Sequence, residues 1–566
     1  MFRFAGTAGP DNVLSVLPMP AAPLTSARPA LTRTAYWIRL LPALAALACV
    51  TRVPSFVRPL WNPDEGYLAV QAGLLAHGGR LYETVVDRKP PLLPWLYEAA
   101  FAVCGSNSLT PLRVLAVAAQ LLTAALLASV ARRRWGDTAG RTAGVLYLLV
   151  SVGLNPEDAQ AATFEVFILP GTAAALWCAD RGRWGAAGTA VACAFLAKQT
   201  GGAVLLPVAW LLYRRSGARA GDAVRVGGAV RTGAVRAGVL RVGAMRVGGC
   251  RVGAVRAGAW RVGAVRAGAW RAGAVRLAAG FALPVLCAAL ATDPAGFLFW
   301  TVTGSATYAS FTGSELLVLG RGLANTAILT VACAGLIPPV VRVLRARAPR
   351  ALRAPGVMGA IGVMGADLWL WLASSAGAVV LGFHFFGHYY LQLLPPAALL
   401  ATAALQLLPR ARLTSAVVTS ACCCALFLTW GLLAPRPELV HAQRLATALA
   451  HRTAPADRVL VWGMHPETYW LADRTPASRF LTAGLLTNYS GGRDGPRVGE
   501  KYAVAGAWPV FRAEMAARAP ALVVDDSRGK PYRPDRLPSL RRLLNGRYEE
   551  VGRVDGAVLY ARIQGS

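Results

Sequence analysis

Apolar residues run through this chain in stretches close to the ~20 needed to cross a bilayer, broken by short polar and basic segments. Taken in order, the stretches lie at 36–56, 111–130, one ending at 154, one ending at 179, a pair within 184–213, 277–291, 316–341, one ending before 384, 389–408 and 413–433. That is eleven predicted spans. The pair within 184–213 is short for two full crossings, so one member is expected to be broken or re-entrant. Basic clusters at Arg132–Arg134, Arg181 and Arg183, Arg342 to Arg353, and Arg410 and Arg412 fall on one side of this count. Asp64, Glu65, Glu157, Asp158, Lys198 and His388 fall on the other. Arg-rich loops mark the cytoplasmic face, which places the loop 57–110 and the tail after 434 outside.

Two regions leave this rhythm. Residues 1–35 are rich in Pro, Ala, Ser and Thr without periodicity and read as a disordered cytoplasmic tail. Residues 214–276 form an Arg/Gly/Ala/Val low-complexity cytoplasmic insert in which Arg recurs every fifth residue from Arg231. Period five matches neither 3.6 nor 2, so no one-faced helix or strand is expected there. From 434 to 566 helix-like and strand-like patterns alternate, as in 458–462 and 521–524, which predicts a small extracytoplasmic α/β domain.

Composition sharpens the class. The 566 residues are 55% hydrophobic and only 15% charged, with mean hydropathy +0.44, well below the quarter charged usual for soluble proteins. The net charge of +31 sits in the cytoplasmic clusters, so it needs no nucleic-acid partner. Of the ten cysteines none forms a C-x-x-C pair, so neither a disulfide framework nor thiolate metal ligation is indicated.

In so apolar a chain, polar density is informative, and it peaks at 61–96. Asp64 and Glu65 follow Pro63, and Arg88-Lys89 precedes Pro90-Pro91. Asp64 suits either a general base or the cap of a helix starting nearby. Lys89 suits either a phosphate contact or a lysine reaching to the interface. Glu165 lies one turn into the fourth span, where a bare carboxylate costs about 2–3 kcal/mol and therefore implies a partner or a wet cavity. Lys198 follows the same logic and suits pairing with Glu165 or with phosphate. Glu157 and Asp158 read as solvated turn residues. His384 and His388 are spaced i, i+4, but without a neighbouring H-E-x-x-H carboxylate they read as polar cavity lining beside Tyr389 rather than as metal ligands.

The segments P-D-E-G-Y, D-R-K-P-P-L-L-P-W-L-Y, F-E-V-F-I-L-P, F-L-A-K-Q-T-G and H-Y-Y-L-Q-L-L-P-P, in this order, resemble family 39 glycosyltransferases. These are bacterial relatives of protein O-mannosyltransferases and of the aminoarabinose transferase that acts on lipid A. The resemblance covers about 36–433. It implies a GT-C fold: an all-α polytopic membrane bundle whose catalytic domain is 36–433, followed here by the 434–566 domain. It also implies a catalytic role for Asp64, with Glu65 beside it. Lys89, Glu165, Lys198, His388 and Tyr389 then line the donor-phosphate and substrate site. The donor is a polyprenyl-phosphate sugar and the acceptor a glycan, protein or lipid. No metal ligand is assigned, though a divalent ion is left open.

The expected function is therefore a multi-pass cell-membrane inverting glycosyltransferase. Rival readings are a transporter or lipid flippase, which would also need intramembrane Glu165 and Lys198, and a degenerate GT-C protein with a glycan-binding outer domain. A transporter predicts inverted repeats, and the two halves show no internal similarity.

Overall fold

A computed structural model describes residues 33–216, 251–304, 315–351, 364–489 and 497–563. The expectations for 1–32 and for 217–250 of the insert lie outside the described residues. The helices that matter are α1 (Arg33–Thr51), α2 (Pro63–Ala76), α3 (Leu92–Cys104), α4 (Thr110–Trp135), α5 (Asp137–Val150), α6 (Pro156–Ala159), α7 (Phe164–Ala179), α8 (Trp184–Ala197) and α9 (Arg251–Leu290). They continue as α10 (Glu315–Ala332), α11 (Ile337–Ala351), α12 (Ala366–Val380), α13 (Leu394–Leu405), α14 (Arg410–Leu433), α15 (Pro437–Ala450) and α16 (Glu467–Ala472).

Among the described residues, five helices are long and apolar enough to cross a membrane: Thr34–Thr51, Thr110–Trp135, Gly268–Leu290, Glu315–Ala332 and Arg410–Ala450. Four shorter apolar helices, α3, α7, α8 and α12, accompany them. The eleven apolar runs thus do not map one to one onto full-length helices. The clearest reason is at 184–213: α8 stops at Lys198, which is extended (φ −159°, ψ 139°), and a 3-10 turn Gln199–Val204 follows. Backbone freed in this way needs a polar neighbour, so the break itself points to a cavity.

The repeat behaves differently from the expectation. Its second half, from Arg251, is helical and continuous with the apolar segment up to Leu290. Alanine favours helix, and the end of α9 is fixed by α8. A Cβ on Gly188 would stand 2.1 Å from the Leu277 carbonyl oxygen, and one on Gly280 2.1 Å from that of Gly185. Two backbones in van der Waals contact through glycine are a common way for helices to associate in lipid.

The last domain is a five-stranded sheet, with β1 (Arg458–Trp462), β2 (Thr475–Pro476), β3 (Leu522–Asp525), β4 (Tyr548–Val554) and β5 (Ala557–Arg562) in the order β2-β1-β3-β5-β4. β1 is parallel to β2 and β3, and β5 is antiparallel to β3 and β4. Alternation sends Val459, Val461, Leu522 and Val524 into one core and Leu460, Trp462 and Val523 into another. The second of these cores also contains Leu75, Tyr82, Val85, Val86 and Trp300. The sheet domain is therefore packed onto the 57–110 loop.

Candidate active site

Asn62 caps α2 through a bond from the Asp64 amide to its Oδ1 (2.9 Å), and Pro63 occupies the first turn. The cap role weighed for Asp64 thus falls to Asn62. Asp64 and Glu65 are left in the first turn, where the helix dipole favours carboxylates. Successive helix residues point about 100° apart, and these two part company. Asp64 lines a cavity of about 550 Å³. Glu65 is fully buried on the other side. It accepts bonds from the backbone amides of Trp61 (2.7 Å) and Ala162 (2.8 Å), and Arg113 stands 3.5 Å away. Glu65 does not line the cavity, which corrects its expected place beside Asp64 at the reacting centre.

Lys89 lies opposite Asp64. Its Nζ donates to Asp64 Oδ2 at 3.1 Å and stands 3.8 Å from the centre of the Phe164 ring. The lysine-bearing strap is held by bonds from neighbouring side chains. Tyr82 donates to the Lys89 carbonyl (3.0 Å), Tyr67 to Val86 O (3.0 Å), Gln71 to Asp87 Oδ2 (3.1 Å), and Gln199 to Arg88 O (2.7 Å). The electrostatics follow from this placement. Burial works to raise the Asp64 carboxyl, but Lys89, His388 and Lys198 together hold it below the ordinary value. Burial disfavours the Lys89 ammonium, yet Asp64, Asp87 and Glu165 outweigh that and raise it. Asp87 is raised by burial, which Lys89 and the Gln71 bond do not overcome.

Lys198 and Tyr389 also line the cavity, with the Lys198 ammonium 4.0 Å from the Tyr389 ring centre. Glu165 and His388 stand behind the wall rather than in it. Glu165 accepts from Lys198, and His388 Nε2 is 3.9 Å from the same carboxylate oxygen. Asp158 is not the solvated turn residue expected. It is buried and bonded to His388 Nδ1 at 2.7 Å, because the turn 155–163 is pinned under the first loop. Ser55 donates to Gln160 O (2.9 Å) and Tyr97 to Ala162 O (2.7 Å) there.

Sequence reasoning did not identify Tyr67, Asp87, Arg88, Gln199 or Thr301, all of which line the cavity. Nor did it foresee Met464, Pro466, Thr482 and Leu485, by which the sheet domain closes one wall. The D-R-K motif carried a signal for Asp87 and Arg88; nothing in sequence pointed to the sheet-domain residues. Among the described residues no group of three or more His, Cys, Asp or Glu side chains is arranged to hold a metal ion.

Comparison with known proteins fits this arrangement. Residues 88–220 match the family described as dolichyl-phosphate-mannose-protein mannosyltransferase. ArnT from Cupriavidus metallidurans bound to undecaprenyl phosphate is similar in structure over 94% of this chain and 98% of its own, with TM-score 0.52 and 16% identity. The same protein in the apo state gives TM-score 0.53, 16% identity, and 94% and 99% coverage. No protein of curated function matches the chain in sequence. The chain has the GT-C fold of polytopic membrane glycosyltransferases with a small C-terminal sheet domain, and the resemblance to protein O-mannosyltransferase-like proteins is borne out.

Proposed function

We propose that the protein is an integral membrane inverting glycosyltransferase. It moves a sugar from a polyprenyl-phosphate donor to an acceptor hydroxyl on the extracytoplasmic side. The observation that carries this reading is the Asp64–Lys89 pair, at 3.1 Å, on the wall of a cavity that Lys198 also lines. An in-line transfer needs a base for the acceptor proton and cations for the departing phosphate, within one pocket.

Asp64 takes the acceptor proton as the oxygen attacks the anomeric carbon, and the bond to the phosphate oxygen breaks. The lipid phosphate leaves against Lys89 and Lys198, with Arg88 on the same wall. Lys89 couples the two events. While it pairs with Asp64 it keeps that carboxylate weakly basic; a phosphate that draws the ammonium away makes Asp64 a stronger base when substrate is in place. Phe195, Val302, Leu381, Met464 and Leu485 give the cavity an apolar side suited to an isoprenoid chain. ArnT, which shares the fold, has been captured with undecaprenyl phosphate, which supports the donor class. The sheet-domain residues Thr482, Met464 and Pro466 are placed to meet the acceptor, be it glycan, protein or lipid.

The test is incubation of purified protein with membranes and radiolabelled polyprenyl-phosphate sugars, followed by isolation of the labelled product. Label transferred from lipid to an acceptor supports the reading. Label that merely crosses the bilayer on intact lipid refutes it in favour of a flippase.

A further inference from the structure

Behind the cavity four ionisable side chains, each from a different segment, form a row. Asp158 on α6 bonds His388 Nδ1 at 2.7 Å. The other ring nitrogen of His388 faces Glu165 Oε1 on α7 at 3.9 Å, and that same oxygen accepts from Lys198 at the end of α8. Of the four only Lys198 reaches the cavity. Glu165 is 0% exposed, and its second oxygen, Oε2, is buried without a hydrogen-bond partner. One carboxylate oxygen thus stands between an ammonium and an imidazole ring while the other has no partner.

The histidine is built into this position. Its ring stacks on Phe386 (5.7 Å, 8°) and meets Tyr389 edge-on (4.9 Å). Gly387 is required there, since a Cβ would stand 2.2 Å from Asp158 Oδ2. From α10, Asn325 donates to the Phe385 carbonyl (2.8 Å) and Arg321 to that of His384 (3.1 Å), fixing the corner that carries the ring. An imidazolium here has one N–H for each carboxylate, Nδ1 for Asp158 and Nε2 for Glu165.

A phosphate entering the cavity competes with Glu165 for Lys198. If the ammonium turned to the phosphate with nothing in its place, a fully buried carboxylate would be left unpaired, which is strongly unfavourable. His388 is already within a small displacement of closing that ion pair. We infer that His388, held by Asp158, is a positioning residue that takes over Glu165 when a lipid phosphate binds, so that Lys198 is released to the phosphate. No covalent bond changes; one ion pair replaces another. The inference rests on the proposed function only for the identity of the ligand.

The experiment measures binding of undecaprenyl phosphate to the full-length protein in detergent, for the wild type, His388→Gln, Glu165→Gln and the double variant. His388→Gln is expected to weaken binding about tenfold, the value of one charge-assisted bond. In the Glu165→Gln background, where there is no carboxylate to take over, the same substitution is expected to change binding less than about twofold. Asp158→Asn leaves the ring in place and is expected to behave like His388→Gln in both backgrounds, which gives an independent reading where His388→Gln fails to assemble. Unchanged binding in His388→Gln and Asp158→Asn overturns the inference. So does a loss that persists undiminished in the double variants, because His388 would then touch the phosphate or merely hold the fold. A wild-type protein that binds no lipid phosphate refutes the proposed function instead.

Discussion

Replacing Glu65 by Gln separates the two halves of the adjacent acidic pair. In the structure this carboxylate has no exposure, receives two backbone amide bonds at 2.7 and 2.8 Å, and faces Arg113 at 3.5 Å. Glutamine keeps the shape but leaves one position of its terminal group as an NH2 donor facing an amide donor, and it removes the charge opposite Arg113. Charge-assisted hydrogen bonds contribute about 1.5–3 kcal/mol each, and removing one partner of a buried pair costs about 3–5 kcal/mol. Arg113 retains its bonds to the carbonyls of Arg58 and Pro59 (2.8 Å for the latter), which lowers the penalty toward about 3 kcal/mol. The assay is thermal unfolding of the detergent-solubilised protein, where a loss of this size appears as a fall of several degrees, at roughly 2–4 °C per kcal/mol in larger domains. Asp64→Asn, at a side chain about a third exposed, loses an ion pair worth at most about 1 kcal/mol and should hardly move the transition. If Glu65→Gln unfolds like the wild type while Asp64→Asn is the destabilised variant, the roles given to the two carboxylates are reversed and the reasoning fails.

Two further outcomes follow from the same geometry. Gly66 packs against α16 so closely that a Cβ would lie 2.2 Å from the Glu467 Cβ and 2.6 Å from its Cα; Gly66→Ala should therefore push the sheet domain off α2. Overpacking of this kind costs about 1–3 kcal/mol, and limited proteolysis of the 434–566 domain should accelerate; unchanged cleavage would argue that the seam is not a fixed contact. The Asp64 carboxyl is held below the ordinary carboxylate value of about 3.8, so it stays ionised as pH falls through that value. Its pairing with Lys89 contributes stability that is present above the ordinary carboxylate value and is lost only as pH falls through the depressed one. In kcat/KM, which reports the free enzyme, an acid limb well above pH 5 would point to a different base.

The site was legible in sequence where polarity was costly. Asp64, Lys89, Lys198 and Tyr389 stood out because a mostly apolar chain has few reasons to keep such residues near its membrane segments, and all four line one cavity. What misled was adjacency. Glu65 follows Asp64 in the chain, but helix geometry turns it away from the cavity and into the Arg113 contact. Asp158 looked like a turn residue because its partner, His388, lies 230 positions later, beyond the reach of any local pattern. The Arg repeat lacks a helical period, yet from Arg251 it is helical and continuous with the apolar segment up to Leu290, whose Gly280 packs on α8 beyond the repeat. The cavity wall made by Met464, Pro466, Thr482 and Leu485 depends on how a separate sheet docks, which no motif in the loop records.

The role of Asp64 as the base of a sugar transfer is open to a direct test. The direct measurement is single-turnover transfer from a radiolabelled polyprenyl-phosphate sugar by wild-type and Asp64→Asn protein, with lipid-phosphate binding measured on the same samples. With Asp64 as the base, transfer falls by about 10²–10⁴-fold while binding is retained. Transfer by Asp64→Asn at the wild-type rate would contradict it.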